Sequence, residues 1–215
     1  MVKSVLDLSS PHAVANGSTA MEKFALEAMF LAGQHDAALV RMQTRFKEMI
    51  DCDLSTLWEH WESDPSTGQP ISGYNHGWSG GALVLLSQYV AGLAPTSPGW
   101  ATFDVKPELG MTLRNVSASV LTTYGTISVA ILRSGDDQNT TLRLRLQVPE
   151  TTVAKLHLPL LQIADLDPRQ RLGVTDVMVS PPLPPRSDNR FDDARLRQDV
   201  ISIPAGSWTV KGRYY

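Results

Sequence analysis

The sequence of 215 residues has a single cysteine, Cys52, so an internal disulfide framework is excluded and a reducing compartment is permitted. It has no strong charge of either sign: 19 Lys and Arg against 22 Asp and Glu give a formal net charge of −3. That balance offers neither a basic footprint for nucleic acid nor a polybasic patch for anionic lipid. No apolar run approaches the ~18 residues that a membrane-spanning helix needs. The start, MVKSVLDLSS, lacks the apolar stretch and small-residue cleavage site of a signal peptide, which points to the cytoplasm if the chain is complete. No internal repeat is visible. Three glycosylation sequons, at Asn16, Asn115 and Asn139, sit awkwardly with that start, but the pattern is short and arises readily by chance.

What is present divides by hydrophobic period. Up to about Leu93 the period is helical. Met21, Phe24, Ala28 and Leu31 recur at three- and four-residue spacing until Gly33. Asp36 then offers a cap for a second stripe of Leu39, Met42, Phe46, Met49 and Ile50, so the two helices make an antiparallel hairpin. A third helix is expected from Ala82 to about Gly92, apolar on most faces and therefore buried. A linker with Pro95 and Pro98 follows, and beyond it the period is two. Leu142, Leu144, Leu146 and Val148 alternate with Arg143, Arg145 and Gln147, whose faces should be solvated. Ile127, Val129 and Ile131 supply a hairpin partner across residues 135–139, and Val116, Ala118 and Val120 lie upstream. Val200, Ile201 and Val210 suggest closing strands around the turn at Pro204-Ala205-Gly206. Residues 180–193 are proline-rich and charged, and read as a loop. The expected class is α+β: a helical segment over 1–97, then an antiparallel β-sandwich over 98–215.

Aromatics are only 7% of the chain, yet residues 54–81 hold Trp58, Trp61, Tyr74 and Trp78 together with Glu59, Glu62, His60, Asn75 and His76. A pyranose offers an apolar face to an indole and a rim of hydroxyls to carboxylate, imidazole and amide groups. Glu59 stands between two tryptophans, and burial beside them would make it a better base. The other reading of the same pattern is ordinary: aromatics near helix ends are often core, and carboxylates often solvated. His60 and Glu62 would give support to Glu59 at most. His12, His35 and His157 show no ligand spacing and read as surface or turn residues, Cys52 as a spectator thiol, and Glu22 and Glu27 as helix-surface or packing residues.

Leu57-Trp58-Glu59-His60-Trp61 followed by Tyr74-Asn75-His76-Gly77-Trp78-Ser79-Gly80-Gly81 resembles the late catalytic segment of α-L-rhamnosidases, glycoside hydrolase family 78, which typically read T-x-W-E and then N-H-G-W-S-G-x-P. Phe24 to Ala28 with Ala32-Gly33 resembles the helix before it. Val148-Pro149 through Thr151, Thr152 and Ala154 to Leu158-Pro159 resembles a signature of the family's C-terminal β-domain. Where the family usually has proline, this chain has Ala82 after Gly81. The resemblance implies an (α/α)6 barrel, of which three to four helices are present here, and a C-terminal β-sandwich. It also implies hydrolysis of terminal α-L-rhamnosides with inversion, without metal or other cofactor. By motif, Glu59 matches the general base and His76 a residue that hydrogen-bonds rhamnose hydroxyls; Trp58, Trp61, Tyr74, Asn75 and Trp78 match the pocket around them.

An inverting pair also needs a general acid ~6.5–9.5 Å from the base. None of Asp7, Glu22, Glu27, Asp36, Glu48, Asp51 and Asp53 lies in an acid motif. The implied partners are therefore an L-rhamnose-containing glycoside and a complementary N-terminal barrel chain or a second copy. The alternatives are a non-catalytic rhamnose- or glycan-binding relic and a gene fragment.

Overall fold

The computed structural model describes residues 17–110, 112–135, 140–157, 174–180 and 200–214. The chain divides into two compact units, Met1–Leu86 and Ser87–Tyr215.

In the first unit, α1 spans Thr19–Leu31 and opens on Ser18, whose hydroxyl accepts from the Met21 amide. Gly33, at φ 72°, ends it: the amides of Gly33 and Gln34 return to the carbonyls of Phe30 and Met29. That closure needs a left-handed residue, and glycine takes it without a Cβ penalty. Helix α2 spans His35–Asp51, with Gln34 rather than Asp36 at its cap and no side-chain cap bond; Asp36 lies in the first turn. His35, expected at the surface, is buried against the Phe30 ring. His12 lies outside the described residues.

The outward and inward faces of α1 differ from what hydropathy suggests. Leu26, Met29 and Phe30 are buried, and with them Thr19 and Glu22. The stripe of Met21, Phe24 and Leu31 is exposed, Phe24 at 56% and Leu31 at 72%. Glu22 is buried because Arg41 of α2 meets it through two bonds, of 2.5 and 2.9 Å, and Arg45 stands 3.6 Å away. A short α3, Gly81–Leu85, continues into a π turn over Leu86–Val90. Ala82, Leu85 and Val90 are buried, but Leu83 and Val84 are exposed, so the fully buried third helix is not formed.

The second unit is two sheets around one core. One has the order β1 (Leu93–Pro95), β2 (Thr102–Val105), β6 (Val153–His157), β8 (Val200–Ile203). The other runs β3 (Asn115–Thr122), β4 (Gly125–Ser134), β5 (Thr140–Val148), β9 (Gly206–Tyr214), β7 (Val174–Ser180). Inward residues of both, among them Phe103, Val105, Ile127, Leu144, Leu156 and Ile203, form the core. Arg143, Arg145 and Gln147 point outward, as their alternation requires. One point corrects the sequence reading. The β2–β6 pair is parallel, where an antiparallel sandwich is expected; the excursion through β3, β4 and β5 supplies the long crossover that a parallel pair requires. The expected closing strands on either side of Pro204-Ala205-Gly206 are β8 and β9, and they belong to different sheets. His157 is a strand residue, half-buried, with its Nε2 3.2 Å from an Asp104 carboxylate oxygen. Residues 136–139 of the expected turn and 181–193 of the expected loop lie outside the described residues.

Candidate functional site

The two halves of the aromatic-carboxylate segment are the two arms of one irregular hairpin. Its tip is an Asx-type turn, with the Asp64 carboxylate accepting from the Ser66 amide at 2.8 Å and hydroxyl at 2.6 Å. The Gly68 amide donates back to the Asp64 carbonyl, and Ser63 bridges Pro70. Further down, the Glu59 amide donates to the Gly73 carbonyl at 3.0 Å and the His76 amide to the Leu57 carbonyl at 2.9 Å. Thr56 adds a bond to the Tyr74 carbonyl. Residues fourteen to nineteen apart in sequence are thereby fixed side by side.

The aromatic residues then sort by environment. Trp58 is fully buried, and its indole N–H finds no acceptor among the described residues. Trp61 is half-buried: its Nε1 donates to the Gly17 carbonyl at 2.7 Å, its ring meets Phe46 edge-on, and the Arg45 guanidinium lies 4.1 Å from its centroid. Arg45 donates to the same Gly17 carbonyl, so this corner joins hairpin, α2 and the approach to α1. Burial pushes the Arg45 guanidinium below its ordinary value, and the Glu22 carboxylate opposes that shift. Tyr74 and Trp78 are exposed, at 54% and 78%, and Asn75 is exposed too. His76 is half-buried, its ring edge-on to Trp78 at 5.7 Å.

Glu59 is not buried between its tryptophans; its side chain is exposed, with the carboxylate lying against Gly73. His60 and Glu62 are also exposed. The exposed or half-buried groups Glu59, Tyr74, Asn75, His76 and Trp78 supply a carboxylate, a phenol, an amide, an imidazole and an open indole face. That set can accept and donate to sugar hydroxyls and stack on a ring.

The residues missed by sequence reasoning are those that hold this set. Thr19 Oγ1 donates to the Glu59 carbonyl at 2.7 Å. Ser79 Oγ lies 2.7 Å from the Trp58 carbonyl, 2.8 Å from Thr19 Oγ1 and 2.9 Å from His76 Nδ1. Thr19 and Ser79 are both buried. Ser79 sits inside the quoted motif, but nothing local flags Thr19, which is forty residues from its acceptor.

Among the described residues, no group of three or more His, Cys, Asp or Glu side chains is placed to hold a metal ion, and no helix is long and apolar enough to cross a membrane. A shallow depression of about 600 Å³ lies on the outward face of the five-stranded sheet, lined by Ser117, Ser128, Arg145, Gln147 and Thr209 among others, and by none of the hairpin residues.

Residues 92–171 match the family model of the bacterial alpha-L-rhamnosidase C-terminal domain. An alpha-L-rhamnosidase of Formosa agariphila is 27% identical over 114 residues, which are 51% of this chain and 12% of that protein. The solved alpha-L-rhamnosidase of Streptomyces avermitilis, complexed with L-rhamnose, is similar over 88% of this chain and 17% of its own, with a TM-score of 0.58 and 22% identity. That of Dictyoglumus thermophilum is similar over 90% of this chain and 20% of its own, with a TM-score of 0.61 and 21% identity. The chain thus spans between 12% and 20% of the length of these relatives. It is rhamnosidase-like, and its likeness to these two solved enzymes is one of fold.

Proposed function

We propose that the hairpin carries the general-base side of an inverting α-L-rhamnosidase site. Glu59 activates the attacking water, His76 and Asn75 hydrogen-bond rhamnose hydroxyls, and Tyr74 and Trp78 form an open aromatic wall. Trp58 and Trp61 act from behind, as the packed base on which the hairpin rests. The single observation that carries this reading is the antiparallel pairing of Glu59 with Gly73 and of Leu57 with His76, which sets carboxylate and imidazole arms side by side on one scaffold. The three relatives described above are named as rhamnosidases, and the Streptomyces enzyme is described with L-rhamnose bound.

A base carboxylate of this kind works with a carboxylic acid across the scissile bond. We place that acid outside these 215 residues, on a complementary helical chain or a second copy. Losing the acid costs roughly 10²–10⁴-fold in rate, so the chain alone should hydrolyse poorly while still contacting the sugar.

The test is hydrolysis of a chromogenic aryl α-L-rhamnoside by the purified chain and its Glu59→Gln variant, beside an L-rhamnose titration followed by Trp fluorescence. Sugar-dependent quenching that Trp78→Ala removes supports the site, and hydrolysis abolished by Glu59→Gln adds the base. A wild-type chain that shows no quenching and no hydrolysis sinks the reading.

A further inference from the structure

Around Ser79 there are more close polar contacts than protons to fill them. The Glu59 and Trp58 carbonyls only accept, so the contact at Glu59 needs the Thr19 hydroxyl proton and the one at Trp58 needs the Ser79 proton. Two contacts remain, Ser79 to Thr19 and Ser79 to His76. With a proton on His76 Nδ1, three of the four contacts are true hydrogen bonds, because the ring donates to Ser79 while both hydroxyls donate onward. With Nδ1 bare, Ser79 must turn its one proton either to the ring or to an oxygen, and only two of the four can be made. The Ser79 and Thr19 hydroxyls are buried, where an unmade bond is not readily replaced by water.

We propose that Ser79 is a positioning residue that holds His76 as its Nδ1–H tautomer, leaving the lone pair of Nε2 to accept from a substrate hydroxyl. The choice of tautomer follows from the partner of the other ring nitrogen. The Thr19 hydroxyl, packed 2.8 Å from the Ser79 oxygen, holds the Glu59 main chain through its own bond, so the imidazole and the carboxylate arm are held from two adjacent hydroxyls. The use of Nε2 on a sugar rests on the function proposed above; the tautomer does not.

The experiment is long-range proton–nitrogen correlation NMR on the uniformly ¹⁵N-labelled chain at pH about 8, where imidazoles are ordinarily neutral. Loss of one ring pattern in His76→Gln assigns the signal. In the wild type, His76 is expected to show a protonated Nδ1 and a bare Nε2. Ser79→Ala should shift the ring toward the Nε2–H form or a mixture, whereas Thr19→Ser, which keeps the hydroxyl, should leave the pattern intact. A ring protonated on Nε2 in the wild type, or a pattern unmoved by Ser79→Ala in a chain that keeps its dispersed amide spectrum, overturns the proposal. An L-rhamnose titration on the same samples separates the two ideas: a locked tautomer whose Nε2 signal ignores the sugar keeps the positioning role and removes the sugar contact.

Discussion

A Cβ built on Gly73 stands 2.5 Å from the Cβ of Glu59 and 3.0 Å from its Oε2, so the carboxylate arm rests on a position that only glycine can fill. Gly73 is also left-handed, at φ 65°. Gly68, at the tip of the same hairpin, has nearly the same φ of 67° but nothing within 4 Å of its Cβ direction. The pair separates strain from collision. Gly68→Ala should cost about 1–2 kcal/mol, the ordinary penalty of a left-handed L-residue. Gly73→Ala should cost roughly 1–3 kcal/mol more, because overpacking is added. Urea unfolding of the two variants measures the difference, and equal losses would show that Glu59 does not lean on Gly73.

The buried Glu22–Arg41 pair makes a second prediction, because it sits where hydropathy would place an apolar contact. Arg45 is held below its ordinary value mainly by burial, with Glu22 as the opposing charge. Glu22→Leu therefore leaves two enclosed guanidinium groups without their carboxylate. Breaking one side of a buried ion pair costs about 3–5 kcal/mol. Arg41→Met placed on the Glu22→Leu background should recover part of that loss. A Glu22→Leu chain as stable as the wild type would show that the pair contributes nothing.

How much of this was legible in the sequence depends on the range of the cause. The exposed alternation of Arg143, Arg145 and Gln147 against Leu142, Leu144 and Leu146 could be read directly, because a half-buried strand writes its two faces with period two. The parallel pairing of β2 with β6 could not, since three strands of the other sheet intervene and no local signal sets it. The same holds within the hairpin. The residue types that suit a sugar pocket were visible, but the bonds from Thr19 to Glu59 and from Ser79 to Trp58 end on carbonyls, and every residue has one. Composition cannot say which indole is enclosed and which is open.

The hairpin tip carries a pH prediction. The Asp64 carboxyl is held below its usual value, first by the Ser66 hydroxyl and then by the Ser66 amide. A carboxyl lowered in the folded state adds stability above its unfolded value, and that contribution is lost as pH falls through the folded one. Ser66→Ala removes the larger cause and keeps the amide bond. The Asp64 titration should therefore move upward while staying below an ordinary aspartate. An NMR titration from about pH 2 to 6 covers the window in which aspartates ionise. An unchanged midpoint in Ser66→Ala would mean that the hydroxyl does not hold the carboxylate.

Helix α1 allows its two faces to be weighed against each other. Leu26 and Leu31 are the same residue type on one helix, yet Leu26 is fully buried and Leu31 is 72% exposed. Leu26→Ala removes packed atoms and leaves a cavity, for which about 2–5 kcal/mol is expected. Leu31→Lys removes an apolar group that already faces water and keeps good helix propensity, so its effect should stay within about 0.5 kcal/mol. Lysine is also placed in the last turn, where a positive charge favours the helix dipole, and the α1 last turn has no basic residue of its own. Thermal unfolding of both variants decides which face holds the unit together. A Leu31→Lys loss that matches Leu26→Ala would show that the apolar stripe of Met21, Phe24 and Leu31 is covered in solution and that α1 buries both of its sides.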